Sequence, residues 1–387
     1  MKRVKLIHED LNAGGGAERL AAASLEALNE MDLSVDLITF TKPNWNQLER
    51  IFGISKLRKY VNNVIKADIS SLLDEENKVD SSNTSKNEYD VIMNAHGDIL
   101  PSNMFGEKKE KLITYCHYPL VPELIRSLKY DTVLRNYLKM CDYKFESLDK
   151  LRTKALGVYN QMMNSSTVVT NSIFSSKAVK LYYPHTDPLI IYPPIDIDFF
   201  SRVVSSDSRE NRIVVLGRFN PDKNIELALE VAKVLKGMNT KFEMSIVGNL
   251  SKLYYPYYNY LQKLIKVNGL SDMVDMKANV DINDLLTLFG KSKVLFHPTI
   301  GEPFGMCIAE AMSAGLVPVV PNFGGNTEFV PQSQRYSNQK EAAKIILKSM
   351  NVSMQKRFSL SNSVKKFGTG RFKDNLKRLL SENVVAP

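Results

Sequence analysis

Apolar residues along this chain come in short runs whose spacing switches repeatedly between strand and helix. Residues 4–8 are an apolar, β-like run, and Asn12-Ala13-Gly14-Gly15-Gly16 is a turn. Residues 17–30 carry Leu20, Ala21, Leu25 and Leu28 at helical spacing, and residues 35–40 are β-like again. Strand, glycine-rich turn, helix, strand is a βαβ unit and predicts a parallel sheet. Further strands are expected at 90–95, 111–117, 166–171 and 189–192, with a basic, aromatic helical region over 122–164 and a polar loop over 74–88. Pro193-Pro194 and the polar stretch 201–211 mark a domain boundary, after which the pattern restarts. Strands are expected at 212–216, 242–247, 274–276, 294–297 and 316–320, with a loop at 217–224 and a helix at 225–236. The fold class is therefore α/β, with two facing Rossmann-like domains over 1–194 and 195–365 and a last helix over 366–387. Ligands are expected in the cleft between them, at the carboxyl ends of the strands.

Composition narrows the function classes. A chain of 387 residues with 44% hydrophobic content fits two soluble domains. The longest uncharged run, 155–176, is broken by Asn160, Gln161, Asn164 and Asn171, so no membrane span is expected. The N-terminus lacks the apolar stretch of a signal peptide. Cys116, Cys141 and Cys307 have no metal-type spacing, which suggests a reducing compartment, and a cytoplasmic location is expected. The net charge of +9 suits nucleic acid, an anionic membrane or a phosphorylated substrate; no nucleic-acid motif is present. Between Arg126 and Lys154, basic residues mix with Tyr130, Tyr137, Tyr143 and Phe145: a solvated helical face, or a patch for an anionic membrane surface.

The chemistry concentrates in residues 301–328. Glu302 precedes a Pro303-Phe304-Gly305 turn; Glu310, after seven intervening residues, falls on a helix with Ala309, Ala311 and Ala314 as its packing face. A carboxylate at each end of a helical turn can accept hydrogen bonds from ligand hydroxyls, and the helix start between them offers N–H groups to phosphate. The layout suits a sugar nucleotide; an ordinary loop-helix-strand unit with two solvated glutamates is the alternative. Arg218 and Lys223 follow a strand and suit a diphosphate, or are two surface cations. Gly14, Gly15 and Gly16 could bring N–H groups to a diphosphate or an acceptor, although Arg19 breaks the G-x-G-x-x-G dinucleotide pattern. His117 ends a strand before Pro119, and lone histidines are more often structural than catalytic. His8 and His96 stand at strand ends as supporting candidates, and Asp98 suits an acceptor-side role or a turn cap.

Taken together, these motifs resemble retaining glycosyltransferases of the GT-B fold, family 4. The resemblance rests on Gly15-Gly16-Ala17-Glu18-Arg19, Gly217-Arg218-Phe219, Asp222-Lys223-Asn224, Ile246-Val247-Gly248, the stretch 274–298, and Glu302 through Glu310. Within the family, residues 12–16, Tyr115-Cys116-His117-Tyr118-Pro119, Asn171-Ser172 and Tyr192-Pro193-Pro194 look most like the alpha-mannosyltransferases that extend lipid-linked oligosaccharides at the cytosolic membrane face. The resemblance implies retaining, metal-independent transfer of a hexose, mannose from GDP-mannose, with no cofactor and no metal site. It places Arg218 and Lys223 on the diphosphate, Glu302 against the donor sugar and Glu310 on the ribose. The amides of Phe304, Gly305 and Met306 would reach sugar hydroxyls and phosphate, and Gly305 permits that approach. Met276, Lys277 and Ala278 would flank the base. Gly15 and Gly16 join the donor contacts, His117 meets the sugar or its reactive centre, and His96, Asp98 and Tyr118 are acceptor-side candidates. The family is usually described by front-face substitution, and in this fold a final helix commonly crosses back to the first domain. Two other readings stay open: a UDP-sugar enzyme with a soluble or different lipid acceptor, and an inactive GT-B scaffold subunit. A sugar-nucleotide epimerase ranks behind both.

Overall fold

In a computed structural model of the chain, residues 2–67, 89–97, 111–126 and 148–384 are described. The chain divides into two units: Met1–Tyr192 with Phe372–Pro387, and Pro193–Arg371. The boundaries read from sequence, 194/195 and 365/366, lie a few residues from these.

The N-terminal unit runs β1 (Arg3–Ile7), α1 (Gly16–Glu30), β2 (Ser34–Thr39), α2 (Trp45–Phe52), β3 (Asn63–Lys66), β4 (Val91–Asn94), β5 (Lys111–Cys116), α3 (Leu120–Arg126), α4 (Leu148–Ser165), β6 (Thr167–Thr170), α5 (Ile173–Tyr182) and β7 (Leu189–Ile190). Its strands are parallel in the order β3-β2-β1-β4-β5-β6-β7. β1 is central, and Val4, Leu6 and Ile7 are fully buried. α1 starts where glycine lets it. Gly14 takes the left-handed conformation at φ 63°, and the Glu18 carboxylate accepts the Gly15 N–H at 2.6 Å, closing the helix end. Leu20, Ala21, Leu25 and Leu28 then line its buried face.

The C-terminal unit holds α6 (Ile197–Phe200), β8 (Glu210–Leu216), α7 (Ile225–Gly237), β9 (Glu243–Gly248), α8 (Tyr255–Val267), β10 (Val274–Ala278), α9 (Ile282–Lys291), β11 (Ser292–Phe296), α10 (Met306–Ser313), β12 (Val317–Pro321), β13 (Arg335–Tyr336), α11 (Gln339–Met350) and α12 (Met354–Ser363). The parallel order is β10-β9-β8-β11-β12-β13. A last helix, α13 (Thr369–Val384), buries Phe372, Leu376, Leu379 and Leu380 in the N-terminal unit's core, where Lys373 pairs with Glu30 of α1 at 2.5 Å.

Each sheet has the doubly wound order, so each has a switch point where the chain changes direction across the sheet: β1/β4 in one unit, β8/β11 in the other. One expectation needs correction. The polar stretch 201–211 is no linker; it lies inside the C-terminal unit. Its Arg209 guanidinium donates to the carbonyls of Val203, Phe289, Ser292 and Ala314, which ties the stretch to the domain. The expected loop at 74–88, Cys141 and most of the basic-aromatic region, 127–147, lie outside the described residues. No helix among the described residues is long and apolar enough to cross a membrane.

Candidate functional site

The C-terminal unit gathers its charged groups at the carboxyl ends of β8 and β11. After β8 the backbone turns through exposed Arg218 to a 3-10 turn, Pro221–Lys223, closed by Asn224 in the left-handed conformation at φ 51°. Asn224 Nδ2 donates to Pro298 O at 3.2 Å and Thr299 Oγ1 to Lys223 O at 3.3 Å, which fastens this turn to the loop leaving β11. Lys223 Nζ thereby reaches Glu302 Oε2 at 2.9 Å, with both side chains mostly buried.

Glycines behind Glu302 fix its loop. Glu302 bridges to Gly324, and its carbonyl accepts the Gly325 N–H at 2.8 Å. A Cβ on Gly325 would stand 1.9 Å from Pro303 O, so no side chain fits there. Gly305, at φ 95°, precedes α10, where any Cβ would meet Ile308 Cδ1 at 2.6 Å. The Phe304 ring is buried against Phe329 and Phe367, leaving its backbone at the start of α10. Glu310 is buried on the same helix.

Electrostatics favour an ionised pair. Burial is the largest influence on the Glu302 carboxyl and opposes its charge, but Lys223 and then His297 outweigh it and hold the group well below the ordinary carboxylate range. The Glu302 charge in turn raises the Lys223 ammonium, against burial and the nearby Arg218. His297, which follows β11 and is 1% exposed, brings Nε2 within 3.3 Å of Glu302 Oε2 and Nδ1 within 3.9 Å of Cys307 Sγ. Burial pushes the Cys307 thiol up, so it stays protonated.

Arg218, Lys223, Glu302, Phe304, Gly305, Met306 and Glu310 thus fall in one region of one sheet edge. Met276, Lys277 and Ala278 do not join them as closely: β10 is the edge strand, two strands or about 10 Å from β8. Met276 packs on the domain core and Lys277 pairs with Asp275 at 3.2 Å. Sequence reasoning gave no role to His297 or Cys307. The one available signal was a histidine closing an otherwise apolar strand five residues before Glu302.

The N-terminal unit carries a separate cluster at its own switch point. His8 follows β1, His96 follows β4 and His117 follows β5. The rings of His8 and His96 meet edge to face at 4.9 Å, and His96 Nε2 pairs with Glu9 Oε2 at 2.8 Å. His8 Nε2 lies 3.7 Å from Glu18 Oε1, beside the turn of Gly15 and Gly16. Burial above all, then His96 and His117, push His8 well below its ordinary value. Burial likewise lowers His117 to about 4, although its contact with Ala95 O at 3.2 Å acts in the other direction. Tyr118 stacks on Phe174 with ring centroids 6.0 Å apart. Asp98 lies outside the described residues. No group of three or more His, Cys, Asp or Glu among the described residues is arranged to hold a metal ion.

Residues 196–364 match the family described as Glycosyl transferases group 1. A curated relative from Dictyostelium discoideum, "GDP-Man:Man(3)GlcNAc(2)-PP-Dol alpha-1,2-mannosyltransferase", is 24% identical over 236 residues, 55% of this chain and 46% of that protein. "Alpha-1,3/1,6-mannosyltransferase ALG2" of Rhizomucor pusillus is 24% identical over 261 residues, 58% of this chain and 54% of that protein. The chain thus matches about half the length of these relatives. The solved structure of Anabaena Alr3699/HepE in complex with UDP superposes with a TM-score of 0.67 at 16% identity, covering 99% of this chain and 100% of that one. The fold is GT-B.

Proposed function

We propose that this protein is a retaining glycosyltransferase that moves mannose from GDP-mannose to a lipid-linked oligosaccharide or glycolipid at the cytosolic membrane face. One observation carries the reading: the Lys223–Glu302 pair, at 2.9 Å, stands at the switch point beside Arg218 and the start of α10. Two cations and helix N–H groups suit a diphosphate, and they offset charge developing on it as the glycosyl bond breaks. The diphosphate's charge is met by these groups rather than by a metal. Glu302, kept ionised, accepts a hydrogen bond from the donor sugar, and buried Glu310 accepts from the ribose. In front-face substitution the bond from C1 to the leaving phosphate oxygen breaks as the acceptor oxygen bonds C1 on the same face. The acceptor proton passes to that phosphate oxygen. In the N-terminal unit, His117 donates to or accepts from a sugar hydroxyl. The names of the relatives support mannose and a dolichol-linked acceptor, and the net charge of +9 supports an anionic surface.

The test is a thermal-shift panel with GDP, UDP, ADP and their sugar conjugates, followed by transfer to a lipid-diphosphate glycan and NMR of the product anomer. Selective stabilisation by GDP and GDP-mannose, EDTA-resistant transfer and an α product are expected. Selective stabilisation by UDP sugars would discard mannose. No shift with any nucleotide would leave the inactive scaffold.

A further inference from the structure

We infer that His297 is a positioning residue for Glu302, and that Cys307 sets which ring nitrogen of His297 carries the proton. This deepens the proposed donor site and rests on it. Two nitrogens face one oxygen of one carboxylate: Lys223 Nζ donates to Glu302 Oε2 at 2.9 Å, and His297 Nε2 stands 3.3 Å from the same oxygen. On the proposed donor site, holding the carboxylate through Oε2 leaves Oε1 to accept from a sugar hydroxyl. The His297 ring itself is held. It is 1% exposed, its backbone N–H donates to Val319 O at 2.9 Å, and its carbonyl accepts Tyr336 Oη–H at 2.9 Å.

The other ring nitrogen faces sulfur. Cys307 Sγ lies 3.9 Å from Nδ1 and 3.8 Å from Leu216 O. The thiol has one proton and two acceptors in reach; given to Nδ1 instead of Leu216 O, it makes Nδ1 the acceptor and places the ring proton on Nε2, toward Glu302. Deprotonated thiol chemistry has no place here, because desolvation, and then the Glu302 charge, raise the Cys307 thiol. The Nε2 contact is not aligned as a strong hydrogen bond, a looseness that such sites lose when substrate is held.

The experiment combines 15N NMR of histidine-labelled protein with calorimetry on wild type, His297→Gln, His297→Phe and Cys307→Ala. Only five histidines are present, and His297→Gln assigns the signal. An Nε2–H tautomer in wild type, shifted toward Nδ1–H in Cys307→Ala, is expected; an Nδ1–H tautomer in wild type, or no change in Cys307→Ala, overturns the inference. His297→Phe should weaken nucleotide-sugar binding about tenfold, the equivalent of one hydrogen bond, and change GDP binding less than about twofold. His297→Gln, whose amide nitrogen can replace Nε2, should recover most of that loss. Equal losses for GDP and the sugar conjugate, or none, would make His297 merely structural. If wild-type protein bound no nucleotide sugar, the donor reading would fail, and the tautomer would still decide the role of His297.

Discussion

Gly248 ends β9, and its side chain would have nowhere to go. A Cβ there would stand 1.8 Å from Gly217 O, 2.7 Å from Gly217 C and 3.3 Å from Arg218 N. Real Cβ atoms do not approach within 3.0 Å, so in Gly248→Ala the backbone after β8 must retreat by more than an ångström. That movement strains two hydrogen bonds, Gly217 N–H to Val247 O at 3.0 Å and Phe219 N–H to Asn249 O at 2.9 Å. Overpacking costs about 1–3 kcal/mol and each weakened backbone bond about 1 kcal/mol. Together these cost about 3–5 kcal/mol, and for a domain of this size the melting temperature should fall roughly 6–20 °C. The same shift carries Arg218 and the root of the Lys223 turn away from Glu302, and a displacement near 1 Å costs about 100-fold in turnover. Gly237→Ala is the control: nothing lies within 4 Å of its Cβ, so stability should hold or rise by up to about 1 kcal/mol. Scanning calorimetry and transfer kinetics on both variants decide the matter. A Gly248→Ala protein that melts and turns over like wild type would refute the close-approach argument.

The Lys223–Glu302 pair gives a pH signature. Glu302 is depressed when folded, so its contribution is present above the ordinary carboxylate value and drains away as pH falls below about 4–5. Lys223 is raised, so its share persists up to about pH 10 and is lost above that. The stability gap between wild type and Glu302→Gln, measured by urea titration, should be flat from pH 6 to 9 and shrink below pH 5. A gap that peaked near pH 6.5 would contradict the assignment. His117, lowered to about 4, favours its neutral form, so stability should fall as pH drops from about 6.5 to 4. His117→Asn should reduce that limb, leaving the part due to His8, which burial also lowers. Arg357, 3% exposed, donates to the carbonyls of Lys293, Gly315 and Ser349; Arg357→Met should cost about 3 kcal/mol in denaturant melts while leaving nucleotide affinity unchanged.

Much of the architecture was legible because hydrophobic period and glycine position carry it. The βαβ opening, the restart after Pro193-Pro194 and the Glu302-to-Glu310 unit all appear where spacing predicts. Short edge elements were not legible: β3 has three of its four residues exposed or polar and no apolar alternation to announce it. The stretch 201–211 looked like a linker because its residues are polar. Its order comes from one arginine whose partners, Phe289, Ser292 and Ala314, are distant in sequence. The pair of Lys223 and Glu302 was legible as two residues and not as a contact, since 79 positions separate them. His297 and Cys307 went unread for a related reason. Each alone is an ordinary residue, and only the fold sets Glu302 and Cys307 beside the two nitrogens of the His297 ring.

The two units suggest why the chemistry-bearing residues fall where they do. In a doubly wound parallel sheet, the loops after the first and fourth strands leave in opposite directions and open a gap at the switch point. Side chains on those two loops can converge without displacing core. In the C-terminal unit these are Lys223 and Arg218 after β8, and His297 and Glu302 after β11. In the N-terminal unit they are His8 and Glu9 after β1, and His96 after β4. Both units place a histidine just beyond the fourth strand of the order, within 3.3 Å of a carboxylate in one and 2.8 Å in the other. The resemblance ends at charge. Lys223 balances Glu302, so the C-terminal cluster keeps a fixed anion beside a fixed cation. His8, pressed toward neutrality by burial, adds no permanent cation beside Glu9 and Glu18. The N-terminal cluster is therefore better suited to exchanging protons and hydrogen bonds with hydroxyls than to holding phosphate.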